Sequence, residues 1–287
     1  MPLDYKRDAR YVHLSPEQVR GLYEVEKGLR ARILNCPADE RSATISWAYE
    51  ELFRRCPWHP ALTERSGTAA PDLIRRRVLQ ASRFLPSPKL QPPPRILEIG
   101  CGNGELSLGL CAAGYDCCGI DVSTTRISRL QEQTNGRLLF IACEATHIPL
   151  PDKAFDAAIS MQLLEHLHPD DVSVHLQEVA RTLRPKGCYI IETPNRHYGP
   201  HDVSRFFAPV AEGFHLKEFT VRELCALLHK CGFGRVSVVL RWRRVFTDRL
   251  AQLLEMCAIA LPPNLRRKHT FGLHNPLFIA HIAERHS

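Results

Sequence analysis

The sequence predicts an α/β protein: a doubly wound, mostly parallel sheet preceded by a helical extension. Three observations point there. From residue 95 onward, apolar runs of strand length alternate with segments of helical spacing. The glycine-rich turn "EIGCGNG" joins the first of those strands to the first of those helices. Between residues 85 and 94, "LPSPKLQPPP" holds five prolines, which can neither continue a helix nor sit in a central strand. The prolines divide the 287-residue chain into a helical extension, 1–90, and a larger domain, 91–287.

In the extension, Ser15-Pro16-Glu17-Gln18 combines an N-cap, a proline at the first helical position and a glutamine at the third, so a helix opens at Pro16. "DERSATISWAYEELFRRC" then spaces Ile45, Ala48, Tyr49, Leu52 and Phe53 along one helical face. Aromatics at that spacing usually build core. A helical layer before this fold, however, has few places to bury an apolar face except over the open edge of a ligand cleft.

After the prolines, "RILEI" is a strand, "ELSLGLCAAG" a helix ended by Gly114, and "YDCCGID" a strand. "TTRISRLQEQT" is a helix, "RLLFIAC" and "AFDAAISM" are strands, "DVSVHLQEVARTL" a helix and "CYIIET" a strand. Thr220 and Glu223 form a capping box that opens the helix "VRELCALLHKCG". "RVSVVLRW" follows as a strand, "FTDRLAQLLEMCAIAL" as a helical insert and "PLFIAHIAER" as the last strand, which makes seven strands. Such a sheet binds ligands at the carboxyl ends of its strands.

Composition narrows the class. Hydrophobic residues at 44% and charged residues at 24% fit a globular protein. "MPLDYKRDARY" lacks the apolar core of a signal peptide, and "LAQLLEMCAIALPP" is too short for a membrane span, carries Glu255 and stops at Pro262 and Pro263. The eleven cysteines include no C-x-x-C pair, and Cys111, Cys117, Cys118 and Cys143 fall in apolar runs. They read as reduced, mostly buried thiols of a cytoplasmic protein, with neither a disulfide frame nor a zinc site. The net charge of +7 gathers at Arg75–Arg77, Arg241–Arg244 and Arg266–Lys268. Runs of this kind are usually solvated faces, which disfavours nucleic acid as the partner.

The turn carries the first chemical signal. Glu98 ends the strand, and Gly100, Gly102 and Gly104 recur at every second position, whereas a dinucleotide fingerprint spaces its glycines G-x-G-x-x-G and leaves room for a pyrophosphate. Glu105 stands where the third glycine of that fingerprint would fall. Acidic residues beside the turn repel a pyrophosphate and suit a ligand with positive charge, so a nicotinamide dehydrogenase is disfavoured. Asp121 ends the second strand seventeen positions beyond Gly104, where a carboxylate can accept both hydroxyls of a ribose. The alternative is a plain helix cap, which Ser123 could supply instead.

Together "LEIGCGNG", "GIDVS", "IPLPDKAFDAAISMQLLEHL", "LRPKG" and "ETPN" resemble the class I methyltransferases that use S-adenosylmethionine, in the broad group of ubiquinone-pathway, sugar and natural-product O-methyltransferases. The resemblance covers roughly residues 94–287 and implies a Rossmann-like, seven-stranded sheet. It implies that the Gly100–Gly104 turn holds the methionine part of the cofactor, with Glu98 near its ammonium or sugar. Asp121, with Val122 beside it, would bind the ribose, Glu144 and Ala145 would lie against the adenine edge, and Met161 and Gln162 would face the amino-acid moiety. Many relatives carry Asp-Ala where this chain has Glu144-Ala145. The Asn/Asp-Pro-Pro-aromatic block of DNA amino-methyltransferases is replaced by "MQLLEHLHPDD", and the cysteine motifs of RNA pyrimidine carbon-5 methyltransferases are not evident.

The expected reaction is methyl transfer to a hydroxyl of a small molecule, a sugar or natural product. An RNA methyltransferase, betrayed by strongly salt-dependent substrate binding, and a non-catalytic cofactor-binding module, with normal cofactor affinity and no transfer, are the alternatives. Because the sulfonium already activates its methyl, the protein has to align an in-line attack and take up the acceptor's proton. Candidate bases are His166, just past the fourth strand, and His201, whose neighbour Asp202 would orient it and raise its pKa; His215 is a weaker candidate. On that basis the rate should rise with pH through a histidine pKa. His166 and His168 alone make a weak metal site, so no metal is expected.

Overall fold

The computed structural model describes residues 8, 10–59, 71–240, 244–261 and 273–283. Four parallel neighbours set the frame: β1 (Arg95–Ile99) pairs with β2 (Asp116–Asp121) and β4 (Phe155–Met161), β2 with β3 (Leu138–Ala142), and β4 with β5 (Leu183–Glu192). The last strand, β8 (Leu277–Ile282), runs antiparallel between β5 and β6 (Phe233–Leu240), and β7 (Arg244–Thr247) adds an antiparallel edge to β6. The order is β3-β2-β1-β4-β5-β8-β6-β7. The strand order turns back between β1 and β4, which opens a crevice at their carboxyl ends.

Continuous apolar runs form these strands because both faces of the sheet are covered. In β1, Leu97 and Ile99 enter one core and Ile96 the other. Helices α6 (Val172–Thr182), α7 (Val221–Lys230) and α8 (Asp248–Ile259) supply the first core with Leu176, Val179, Leu224, Leu228 and Ala251. The second core takes Ala81 from α3 (Pro71–Ser82), Leu106 and Leu110 from α4 (Glu105–Ala112), and Ile127 and Leu130 from α5 (Thr124–Leu130). The Thr220 capping box is present: its hydroxyl accepts from the Glu223 N–H at 3.1 Å and its N–H donates to Glu223 Oε2 at 2.9 Å.

The extension builds a third core. Helix α1 (Pro16–Leu34) opens with the reciprocal Ser15–Gln18 box, and α2 (Arg41–Arg55) buries Ala48 and Leu52, with Ile45, Tyr49 and Phe53 packed against them. Their partners across the interface are Val203, Phe214 and Leu216, from the irregular segment between β5 and α7. This layer is tied by buried charge. Glu26 of α1 accepts from the Phe214 N–H at 3.0 Å, and Arg30 donates to the Leu216 carbonyl at 3.3 Å.

Two expectations need correction or qualification. The sheet has eight described strands instead of seven, because β7 is only four residues long and exposed at the edge, too short to show alternation. Of the basic runs, Arg75–Arg77 are exposed on α3; Arg241–Arg243 and Arg266–Lys268, like Pro262 and Pro263, lie outside the described residues. All eleven cysteines are free thiols, Cys117 and Cys118 buried and Cys111 and Cys143 half-buried. Among the described residues no helix is long and apolar enough to cross a membrane.

Candidate active site

The crevice holds a cavity of about 310 Å³. Its floor is the carboxyl end of the sheet: Gly100 after β1, Asp121 and Val122 after β2, Glu144 and Ala145 after β3 and His166 after β4. Its roof is α2, through Arg41, Ser42, Ile45 and Tyr49. The roof is fastened at its N-terminus. Arg41 reaches Asp170 at 2.9 Å and Asp171 at 2.6 Å beside α6, and the Ser42 hydroxyl donates to Glu144 Oε1. Nothing in the composition of α2 singled out Arg41 and Ser42; the apolar stripe announced a packed face but not what it covers.

Asp121 lies where β2 ends. The Gly102 N–H donates to its Oδ2 and the Ser123 N–H to its Oδ1, each at 2.9 Å, with the Arg126 guanidinium 3.9 Å away. The cap of α5 is Ser123, whose hydroxyl accepts from the Arg126 N–H at 3.3 Å. Asp121 is therefore held by the glycine turn, and each oxygen keeps a lone pair beyond the bond it accepts. The turn needs its glycines: φ is +74° at Gly100, +56° at Gly102 and +75° at Gly104.

Glu98 is buried beneath the turn, where the Ser107 N–H and hydroxyl donate to its Oε2 at 2.8 and 2.5 Å. Burial pushes its carboxyl up to about 7, the Ser107 bonds notwithstanding. A carboxyl raised in this way holds its proton more tightly folded than unfolded, so the stability it contributes is present at acid pH and lost as pH rises through about 7. Glu98→Gln should thus make the cofactor-free protein more stable than the parent by up to ~3 kcal/mol above pH 7, with the gain gone near pH 4. Urea denaturation at a series of pH values checks this; a variant less stable than the parent at pH 8 contradicts it.

Met161 and Gln162 end β4 at the neighbouring strand. Gln162 adopts φ +57°, and its N–H donates to the Glu192 carbonyl at 2.8 Å and its Nε2 to the Glu192 carboxylate at 3.2 Å. Neither residue borders the cavity, nor do Glu98, Gly102 and Gly104, although Gly102 reaches it through Asp121.

Of the proposed bases, only His166 faces the cavity. It sits on a 3₁₀ turn after β4, its Nδ1 donating to the Phe214 carbonyl at 2.9 Å, which leaves the Nε2 lone pair free. Burial, aided by the nearby His215, pushes its pKa down to about 3. It is a neutral imidazole throughout the working range, so the expected rise of rate through a histidine pKa is not its signature. His201 and Asp202 correct the expectation further. The His201 ring Nε2 bonds to the Asn195 carbonyl at 3.1 Å, away from the cavity, and burial lowers its pKa. The Asp202 oxygens accept the N–H groups of Ser204 and Gly213, each at 3.0 Å, and more weakly that of His215 at 3.4 Å. Asp202 shapes the irregular segment and does not orient the His201 ring.

Glu165 and His215 stand next to His166, and sequence reasoning had passed over the first and set the second aside. Burial raises the Glu165 carboxyl to about 7. Burial opposes a charge on His215, but its 2.8 Å bond to Glu218 and the carboxylates of Glu165 and Asp202 leave its pKa raised. The adjacency "EH" was visible in the sequence; the return of His215, almost fifty residues later, was not.

A β1–β4 switch point, a glycine turn bonded to an acidic residue at the end of β2 and a roofed cleft between them form a Rossmann-like ligand site of the kind found in S-adenosylmethionine-dependent methyltransferase domains. Residues 97–191 match the methyltransferase-domain family. A probable S-adenosylmethionine-dependent methyltransferase of Mycobacterium tuberculosis is 28% identical over 147 residues, 50% of this chain and 50% of that one. A ubiquinone biosynthesis O-methyltransferase of Hydrogenovibrio crunogenus is 30% identical over 149 residues, 48% of this chain and 61% of that one. The chain spans about half the length of the first of these curated relatives. Among solved structures, the 1,6-didemethyltoxoflavin-N1-methyltransferase of Burkholderia thailandensis, bound to 1,6-didemethyltoxoflavin and S-adenosylhomocysteine, shares the fold: TM-score 0.55, 18% identity, 87% of this chain and 92% of that one.

Proposed function

We propose that this protein transfers the methyl group of S-adenosylmethionine to a hydroxyl of a small acceptor, a sugar or natural product. The observation that carries the reading is the neutral His166 imidazole, its Nε2 lone pair free, on the wall of the Asp121 cavity. An amine can attack with its own lone pair, whereas a hydroxyl must give up a proton as it attacks. In the reaction the oxygen forms a bond to the methyl carbon as the sulfur–methyl bond breaks, its electron pair returning to sulfur. His166 Nε2 would take the acceptor's proton, so that S-adenosylhomocysteine and the methyl ether are the products.

The cofactor fits the residues present. Asp121 has lone pairs to spare for a ribose diol, and the space beside Gly102 is open: a Cβ built there meets nothing within 4 Å. Glu144 and Ala145 would flank the adenine, Val122 with Asp121 the ribose, and the Gly100–Gly104 turn the methionine end, with Glu98 beneath that turn and Met161 and Gln162 supporting the amino-acid end. Residues 1–90 would serve as a lid over residues 91–287, since α2 roofs the cavity and is tied down to Glu144, Asp170 and Asp171. The O-methyltransferase relative supports oxygen as the target.

Incubation with a metabolite extract and cofactor carrying an isotopically labelled methyl tests the reading; a labelled methyl ether is expected, and label found only on nitrogen or on protein overturns it. Calorimetry should show S-adenosylmethionine binding and NAD not, and tighter binding of NAD would end the assignment. Asp121→Ala should weaken the cofactor by ~1.5–3 kcal/mol, the range for hydrogen bonds to a charged group. Should melting temperature fall while affinity of the folded variant holds, Asp121 is a structural carboxylate only.

A further inference from the structure

Glu165 is fully buried and only half satisfied. Its Oε2 accepts from the Thr193 hydroxyl at 2.9 Å, while Oε1 has no hydrogen-bond partner. A buried carboxylate oxygen without a partner is costly and calls for a donor or a cation. Two imidazoles stand beside it. Glu165, His166 and His215 each offer a ligand atom, all within 4.8 Å of one another, and the two rings meet edge to face with centroids 5.0 Å apart.

Backbone bonds bring the three together. The Glu165 carbonyl accepts from the Leu216 N–H at 2.7 Å and the Lys217 N–H at 3.2 Å, which straps the 214–217 segment against the 3₁₀ turn after β4. Each imidazole is already oriented from behind: His166 Nδ1 on the Phe214 carbonyl at 2.9 Å and His215 Nδ1 on Glu218 Oε1 at 2.8 Å. A carbonyl or carboxylate on one ring nitrogen, with the other left bare, is how proteins hold metal-ligating histidines.

We propose that Glu165, His166 and His215 form a binding site for a divalent first-row transition ion of the zinc type, bordering the cleft through His166. Two imidazole nitrogens and one carboxylate oxygen suit zinc, iron(II) or cobalt better than magnesium or calcium, which take oxygen ligands. Zinc bonds of ~2.0–2.2 Å require the ligand atoms to close by about an ångström from their present spread. Three protein ligands leave a coordination position open. An acceptor hydroxyl bound there would lose its proton to water more readily, so the inference deepens the proposed function at the same wall of the cleft. With the ion bound, the His166 Nε2 lone pair goes to the metal and the acceptor's proton to water; without it, that lone pair is free to take the proton directly.

The test needs neither cofactor nor acceptor, so its failure is distinct from failure of the methyl-transfer reading. The full chain, stripped with a chelator, is titrated with zinc by calorimetry and its retained metal counted by mass spectrometry. One equivalent is expected in the parent. Glu165→Gln and His215→Gln should each weaken it 10–100-fold or more, the range for disturbing even the groups behind metal ligands. His229→Gln, which alters a half-exposed histidine paired with Asp248, should leave it unchanged. Equal affinity in parent and cluster variants, or no stoichiometric zinc in the parent, overturns the proposal. If the cluster variants fail to fold, the visible spectrum of the cobalt-loaded parent decides: intense d–d bands of a low-symmetry nitrogen and oxygen site support the proposal, and only the weak spectrum of hydrated cobalt refutes it.

Discussion

Replacing His166 with glutamine should lower turnover by roughly 10²–10⁴-fold, the range for loss of a positioned proton-handling group, with cofactor affinity near that of the parent. Glutamine keeps polarity and approximate size, but its side chain has no basic nitrogen to offer the acceptor. The pH profile provides a second reading. Because burial lowers the His166 pKa to about 3, no limb between pH 5 and 9 belongs to this residue. His201→Gln should leave turnover close to parental, since that ring bonds to the Asn195 carbonyl outside the cavity. Steady-state kinetics and calorimetry on the two variants separate the cases. A fully active His166→Gln would mean that the acceptor loses its proton to water and that alignment alone drives the reaction.

The fold was largely legible because its signals are local. Strands buried on both faces read as continuous apolar runs, the Ser15 and Thr220 boxes mark helix starts through contacts three residues apart, and the glycine turn declares its dihedrals by residue type. The place of Asp121 at the end of β2 was legible for the same reason, whereas its bond to the Gly102 N–H, nineteen residues back, was not. What failed was long-range or directional. His201 and Asp202 are adjacent in sequence, yet on an irregular segment consecutive side chains diverge, and Asp202 turned to the backbone of Gly213 instead of the imidazole. The meeting of Glu165 with His215 depends on one loop folding back onto a turn, which no periodicity encodes. Direction of titration was equally hidden, because the sequence shows a histidine but not its burial.

Gly102→Val should abolish measurable cofactor binding while leaving a folded protein, and Gly104→Val should do the reverse damage first. The two glycines share positive φ, +56° and +75°, so a branched residue at either position costs about 1–2 kcal/mol in backbone strain alone. Their surroundings differ. A Cβ at Gly104 lies 2.9 Å from Phe140 Cζ and 3.1 Å from a Leu130 methyl, inside the core beneath the turn, so valine there forces α4 away from the sheet. At Gly102 a Cβ meets nothing within 4 Å, and the added methyls occupy open space that the proposed methionine end of the cofactor needs. The N–H that Gly102 donates to Asp121 survives the substitution, so the loss is one of volume. Thermal denaturation should therefore show Gly102→Val lowered modestly and Gly104→Val severely. Calorimetry on the folded Gly102→Val protein should detect no binding, a loss of more than about 100-fold, or about 2.7 kcal/mol. Unchanged affinity would move the cofactor's methionine end off this turn, and with it the reason for three glycines spaced two apart.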